Sequence, residues 1–447
     1  MSPDAAPEAD FVELVRQGRW EEVERFAPVE LALHLPDLST EEQDALLARL
    51  GRELQAEVLS EADVSVRRTI LERWEPSDVA ALVPHLPLDD GADLLEKLDE
   101  DHSREVLDHV GPAQAREVEE LMSHPSDSAG GMMTPDCIRL PQGFTAEEAL
   151  GAVRNSLDAE MVSYIYVLDA QGCLQGVVSL RGLLMARPHE TLSQIMTRDF
   201  IAAHVDDDRE KVTEMARRYN FVALPVVDGM GRLKGIITVD DILDVMEEEA
   251  SEDMFRLAGT GMGNPTLEPS LARVMKRLPF LAITLGGGSA SAWILSQYQD
   301  QLTSLAQLSF FIPMVIGMAG NVGVQSSTVV VRGLATGEIT DRRFLKVMGH
   351  ELSVALWLAL AFCTVSMVAV YGLHDRLHVA AEFSWVVGLG MASGILMAAI
   401  SGTFIPLSCA KLGVDPALAA GPFVTTINDI TGVLVYLQVA RWLMHLL

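Results

Sequence analysis

The sequence predicts a multidomain chain of mixed class: an all-α N-terminal superhelical domain, an α/β module of two tandem repeats, an acidic connecting helix and a five-helix all-α transmembrane domain. Three observations carry this. Five long apolar stretches lie at about 277–299, 305–333, 347–372, 383–410 and 417–446, each longer than the roughly 20 residues a helix needs to cross a bilayer. A strand, Gly turn, strand, helix pattern occurs twice, as YIYVLDAQGCLQGVVSLRGLL (Tyr164–Leu184) and ALPVVDGMGRLKGIITVDDIL (Ala223–Leu243). Upstream, short amphipathic helices are punctuated by Pro, Asp and Ser. The triplet His-Leu-Pro recurs there at His34 and His85, each followed by a Leu-Leu pair, Leu46-Leu47 and Leu94-Leu95. The expected domains are 1–125, 126–246, 247–270 and 271–447.

Taken in order, the first domain reads as a helical solenoid, because the same pattern of short amphipathic helices and breaks recurs along it. His34 and His85 are expected at helix ends rather than as metal ligands. In the repeats, each strand pair is preceded by its own Met-Thr pair, Met133-Thr134 and Met196-Thr197, which marks an internal duplication. The helix Val239–Phe255 that follows carries Asp241, Asp244, Glu248 and Glu252 at spacings of three and four, one acidic face set opposite Ile242, Val245 and Met246. Asp206-Asp207-Asp208 and Glu210 add carboxylates from the same module. Stacked like charges of this kind suit divalent cations shared between side chains.

Charge separates the halves. From Leu271 onward there are 8 acids and 10 Lys or Arg, a net of +2, whereas the preceding residues hold 55 acids and 23 bases, a net of −32. Such a soluble part repels nucleic acid and accumulates cations. The four cysteines are scattered without metal-like spacing, and the start MSPDAAPEAD lacks the basic and apolar regions of a signal peptide. Arg273, Lys276 and Arg277 precede the first span, Arg332, Arg342, Arg343 and Lys346 lie between the second and third, and Lys411 follows the fourth. By the positive-inside rule the acidic half is cytoplasmic and the C-terminus faces out, which describes a multi-pass plasma (inner) membrane protein.

The candidate ion site is the fifth span, where Asp429 sits alone among apolar residues. A carboxylate at mid-bilayer costs about 2.5–3.5 kcal/mol on an insertion scale, which makes it a functional residue by default. In the second span, GMAGNVGVQSS (Gly317–Ser327) sets Asn321 and Gln325 on one face, and its three glycines are expected to loosen the helix and free carbonyls. Asp429, Thr425, Asn321 and Gln325 offer only oxygen-type ligands, suited to a hard cation such as Mg2+. Glu351 and Asp415, near the inner ends of spans, are secondary acids. The glycines of the first span, GGGSASA, and of the fourth, Gly388, Gly390, Gly394 and Gly402, are expected to be helix-packing positions.

The duplicated module resembles paired cystathionine-beta-synthase (CBS) domains, which bind adenine nucleotides between repeats. Its ribose-contacting pattern is matched by Gly235, Thr238 and Asp241. The first repeat has Gly176 and Ser179 but Gly182 in place of the acid, so at most one nucleotide site, for ATP, is intact, and a module that only dimerises is the competing reading. The whole chain, with GNVGVQSS in the second span and DPALAAGPFVTTINDITG (Asp415–Gly432) in the fifth, resembles the MgtE family of magnesium transport proteins. That resemblance implies a homodimer with a Mg2+-selective pore lined by Asp429, and closure by acidic cytoplasmic domains when Mg2+ is high. The regulatory ligands it implies are Asp208, Glu210, Asp241, Asp244, Glu249, Glu252 and Asp253. Against the family pattern, Gly421 stands where Asn precedes the proline, Thr425 adds a hydroxyl, and Asn220 occupies a position acidic in some relatives. The partners expected are a second copy, the bilayer and Mg2+, with no nucleic acid and no enzyme activity. The competing functions are a channel for Mn2+, Co2+ or Ca2+, and a membrane-anchored nucleotide sensor.

Overall fold

The structure, a computed structural model, describes residues 11–156, 161–261, 268–299, 306–339 and 343–444; Arg342 and residues 262–267 of the expected connecting segment lie outside these. It divides into two compact units, Met1–Glu247 and Glu248–Leu447.

The first unit begins with short helices running from Phe11–Arg16 to Pro112–Met122. Their starts follow from local chemistry. Ser39 and Glu42 form a capping box, and Pro28, Pro76 and Pro112 occupy first turns, where a missing N–H costs nothing. Leu46, Leu47, Leu94 and Leu95 are all at most 1% exposed, so both Leu-Leu pairs fill the core. Two buried glutamines bind the layers together: Gln43 Nε2 donates to Leu35 O at 2.8 Å, and Gln55 Nε2 to Leu47 O at 2.6 Å. His34 ends the helix Pro28–His34 and stacks on Phe11, with centroids 4.7 Å apart, as a helix-end residue should.

The two repeats have the same topology. In the first, β1 (Cys137–Pro141) runs parallel to β2 (Met161–Leu168), which is antiparallel to β3 (Leu174–Ser179). In the second, β4 (Ala203–His204), β5 (Ala223–Val227) and β6 (Leu233–Thr238) repeat that order, with a register shift at the matching place, Val167/Leu168 and Val226/Val227. The Met-Thr pairs cross over: Thr134 bridges to Ile236 of the second repeat, and Thr197 to Val177 of the first. That crossing explains two glycines. A Cβ at Gly235 would lie 2.5 Å from Thr134 O, and one at Gly176 would lie 2.7 Å from Met196 Sδ and 2.9 Å from Thr197 O.

The connecting helix runs Val239–Leu257 and contains the division between the units. Ile242 and Val245 are buried as expected, but Met246 is exposed, so the apolar stripe is narrower than the sequence implied. Asn220 adopts a left-handed conformation at the C-terminus of helix Arg209–Tyr219, a position that Asn tolerates well because its side chain can bond locally.

In the second unit, five helices among the described residues are long and apolar enough to cross a membrane. Their helical cores are span 1 (Ser270–Gln297), span 2 (Ile312–Ala335), span 3 (Phe344–Leu377), span 4 (Phe383–Lys411) and span 5 (Pro422–Met444). A short helix, Pro416–Ala420, leads into span 5, and the chain breaks at Gly421 between them. Spans 2, 3, 4 and 5 share one apolar core that includes Val315, Ala359, Val387, Ile395, Val433 and Tyr436. Without a hydrophobic drive between helices in lipid, close packing at small residues holds such a bundle. Gly388 receives Met367 of span 3, Gly390 receives Tyr436 of span 5, and Gly402 abuts Gly323 of span 2. In span 1 only Gly287 serves this purpose, since a Cβ at Gly286 or Gly288 would meet nothing within 4 Å.

Candidate ion pathway and regulatory acids

Span 5 turns each residue before Asp429 towards a different neighbour. Thr426 is buried against Gly287 of span 1, where an added Cβ would fall 2.0 Å from its methyl. Asn428 is fully buried between span 2 and span 4. Thr425 and Asp429 face Gly320 of span 2: a Cβ there would lie 3.9 Å from Thr425 Cγ2 and 4.0 Å from Asp429 Oδ1. Asp429 is half-buried, and among the described residues no hydrogen bond or ion pair engages it. Thr425 Oγ1 donates to Gly421 O at 3.2 Å, which leaves its lone pairs available.

The second span departs from expectation. It is one unbroken helix, so its glycines do not free carbonyls; one of them, Gly323, instead admits Asn428 of span 5. Asn321 and Gln325 lie on the exposed face of span 2 in the single chain, without a hydrogen bond to another described residue. Glu351 is half-buried early in span 3 and is joined to no other described residue by a hydrogen bond or ion pair.

Asp415 belongs to a different arrangement, together with the end of the connecting helix. Its Oδ1 accepts from Ala417 N at 2.8 Å, capping helix Pro416–Ala420, and its carboxylate pairs with Arg256, which also pairs with Glu252. Leu257 packs on Val331, Ala417 and Ala420. At Gly421 a Cβ would lie 2.2 Å from Leu257 O, and Gly259, at φ +73°, abuts Pro422. Gly421 is thus the residue on which the helix end rests. Asp253 is half-buried beside this contact and pushed up to about 6, first by burial and then by the charges of Asp415 and Glu249.

In the first unit, Asp208 caps helix Arg209–Tyr219 by accepting from Glu210 N at 2.8 Å. Asp241 lies at the start of the connecting helix and is pushed up to about 6 by burial, with the Thr238 hydrogen bond opposing and the charges of Asp240 and Asp90 adding to it. Glu61 of the helical domain is raised by burial and by Asp90, Asp244 and Glu57. The seven proposed regulatory acids therefore divide into three groups: Asp208 and Glu210 at a helix start, Asp241 and Asp244 near Glu61 and Asp90, and Glu249, Glu252 and Asp253 near Asp415. Sequence reasoning missed Glu61 and Asp90, because only folding brings them to Asp241 and Asp244.

The nucleotide pattern has an internal explanation. Thr238 Oγ1 donates to Asp241 Oδ2 at 2.6 Å across the first turn, and Gly235 is required by Thr134. In the first repeat, where Gly182 stands in place of the acid, Ser179 instead accepts from Gly182 N at 3.0 Å.

Among the described residues no three His, Cys, Asp or Glu side chains converge to hold a metal ion. What the single chain offers at Asp429 is one carboxylate and neutral oxygens, a donor set for a hydrated hard cation or for half of a site shared with a second copy.

Comparison with known proteins is consistent along the chain. Residues 312–439 match the MgtE model, described as a divalent cation transporter, residues 26–127 the MgtE intracellular N domain, and residues 129–189 and 192–248 the CBS domain. The magnesium transporter MgtE of Thermus thermophilus is 37% identical over 341 residues, 76% of this chain and 75% of that protein. That of Bacillus subtilis is 33% identical over 415 residues, 93% and 88%. The crystal structure of the cytosolic domain of the Mg2+ channel MgtE in complex with ATP superposes with a TM-score of 0.50 at 36% identity, covering 52% of this chain and 97% of that one.

Proposed function

The chain belongs to the MgtE family of magnesium transporters, and from that membership we propose that Mg2+ crosses the membrane between two copies of it, held by an Asp429 carboxylate from each. It is a multi-pass membrane protein with an N-terminal soluble part, of a transporter family rather than an enzyme family.

The observation that carries the pore proposal is the setting of Asp429. A carboxylate within a span is costly, and here no base among the described residues offsets it. A divalent cation would. Asn321 and Gln325, exposed polar groups on a spanning helix, call for a polar neighbour as well, which a second copy and a water column supply. Mg2+ dehydrates reluctantly and keeps several waters, so carboxylates and hydroxyls such as Thr425 grip the water shell, and the ion leaves without a large barrier.

Regulation rests on the carboxylate groups. Asp241 with Asp244, Glu61 and Asp90, and Asp253 with Glu249, Glu252 and Asp415, stand within each other's electrostatic reach without converging on one point, so an ion bound there would draw them together. Mg2+ bound there favours the packed form in which the connecting helix rests on the entry to span 5, and the pore closes. Asp208 and Glu210 contribute a further weak site. Because several ions act together, each needs only modest preference for the closed form. ATP, bound by the relative's cytosolic domain, is assigned to the second repeat with Asp241 as ribose acceptor, which requires the Thr238 bond to open. The soluble part is cytoplasmic and the C-terminus outside, by the Lys and Arg distribution.

The deciding experiment is Mg2+ flux into proteoliposomes carrying wild type, Asp429→Asn and Asp429→Ala. Flux is expected only in wild type; wild-type flux in both variants would remove Asp429 from the pathway.

A further inference from the structure

Asn428 is a fully buried amide in a spanning helix. Ser401 of span 4 donates to its Oδ1. Its Nδ2 is buried without a hydrogen-bond partner among the described residues and fills the notch left by Gly323 of span 2, where an added Cβ would fall 1.7 Å from that nitrogen. Gly323 in turn meets Gly402 of span 4 so closely that a Cβ on Gly402 would lie 2.4 Å from Gly323 O. One side chain thus touches two other spans where two of their glycines face each other.

An unpaired amide nitrogen in an apolar interior is unfavourable, so the contact is retained at a cost that packing alone does not explain; a smaller apolar residue would fill the notch without it. The next residue gives the reason. Asp429 follows Asn428 by about 100° around the helix, and it emerges opposite Gly320, three residues before Gly323 on the same span. Side chains stand about 5–6 Å from a helix axis, so a rotation of span 5 by about 20° would carry the carboxylate roughly 2 Å sideways.

We propose that Asn428 is a positioning residue for the transported ion: by locking its amide between Ser401 and the Gly323 notch, it fixes the rotation of span 5 and so the location of the Asp429 carboxylate. This rests on the reading of Asp429 as the ion-holding residue. It makes the pair Asn428 and Gly323 a single device, because the glycine has no side chain only so that the amide can enter.

The test is Mg2+ uptake in proteoliposomes across a concentration series. It uses wild type, Asp429→Asn, Asn428→Ala, Asn428→Ser, Gly323→Ala and the double variant Gly323→Ala with Asn428→Ser. Half-saturating Mg2+ and the Mg2+ to Ca2+ flux ratio are read against the amount of folded protein. Asn428→Ala and Gly323→Ala are expected to raise half-saturating Mg2+ about tenfold and to lower the flux ratio, and Asn428→Ser, which keeps a hydroxyl, to do so less. The double variant, in which the smaller side chain leaves room for the new methyl, is expected to recover most of the loss seen in Gly323→Ala. Undiminished flux in Asp429→Asn overturns the ion-holding reading and the positioning role with it. Abolished flux there, with wild-type half-saturation and flux ratio in the Asn428 and Gly323 variants, overturns the positioning role alone. So does a double variant no better than Gly323→Ala. If Asn428→Ala fails to fold, the Gly323→Ala and double-variant comparison decides by itself.

Discussion

Replacing Gly421 with alanine tests the closing contact most directly. The new methyl would sit 2.2 Å from Leu257 O, 2.9 Å from Leu257 C and 3.2 Å from Arg256 O. These are backbone atoms at the end of a helix, so none can rotate aside, and either the helix end or the chain at Gly421 must move. Forcing a methyl into a packed site typically costs about 1–3 kcal/mol. Charged to the packed form alone, that lowers its population relative to the separated form by roughly 5- to 150-fold. If one bound ion held the contact, the Mg2+ concentration that half-closes the pore would rise by the same factor. Shared among three ions, it would rise by the cube root, about 2- to 5-fold. The measurement is Mg2+ flux titrated with Mg2+ on the side of the soluble domains, paired with limited proteolysis of the segment Glu247–Gly261. Gly421→Ala should need more Mg2+ for both closure and protection. An unchanged midpoint in both assays would refute the claim that this helix end, resting where it does, closes the pathway.

Arg256→Gln removes the fixed cation between Glu252 and Asp415; losing hydrogen bonds to charged partners of this kind costs about 1.5–3 kcal/mol, so without Mg2+ the segment Glu247–Gly261 should be cut faster than in wild type, and equal rates would count against the bridge. The acids at about 6 give a pH signature: Asp241 and Asp253 are raised in the folded protein, so their ionisation opposes folding above about pH 6 and the penalty fades as pH falls through that value towards the ordinary carboxylate range. Thermal unfolding should therefore show a Mg2+-induced gain that is large at about pH 7.5 and small at about pH 5.5, where the proton competes with the ion; a gain that grows on acidification would contradict it. Gly235→Ala drives a methyl to 2.5 Å from Thr134 O and should lower the melting temperature of the soluble part by an amount matching about 1–3 kcal/mol, readable by calorimetry; an unchanged melting temperature would mean the crossing of the Met-Thr segments is looser than described.

What the sequence made legible was whatever depends on local periodicity or on one conspicuous residue. The Leu-Leu pairs, the duplicated strand pattern and the five apolar stretches are signals within a window of a few turns, and Asp429 stands out because nothing around it is charged. Contacts between distant segments were not legible. Asn428 reads as one more polar neighbour of Asp429 until Gly323, more than a hundred residues earlier, is set against it. Gly323 reads from its own helix as a softening residue, and its use is on another one. Glu61, just past the end of one short helix, and Asp90, in the first turn of another, look merely solvated, and only the fold brings them near Asp241 and Asp244. Gly421 was visible as a departure from the family pattern, but its reason is the carbonyl of Leu257, which no spacing rule brings to it.

The crossed Met-Thr segments have a consequence for the soluble part as a machine. Each half lends an edge to its twin through one reciprocal pair of backbone hydrogen bonds, Thr134 with Ile236 and Thr197 with Val177. A substitution at either Met-Thr segment therefore bears on both halves, and the second half leads directly into the connecting helix.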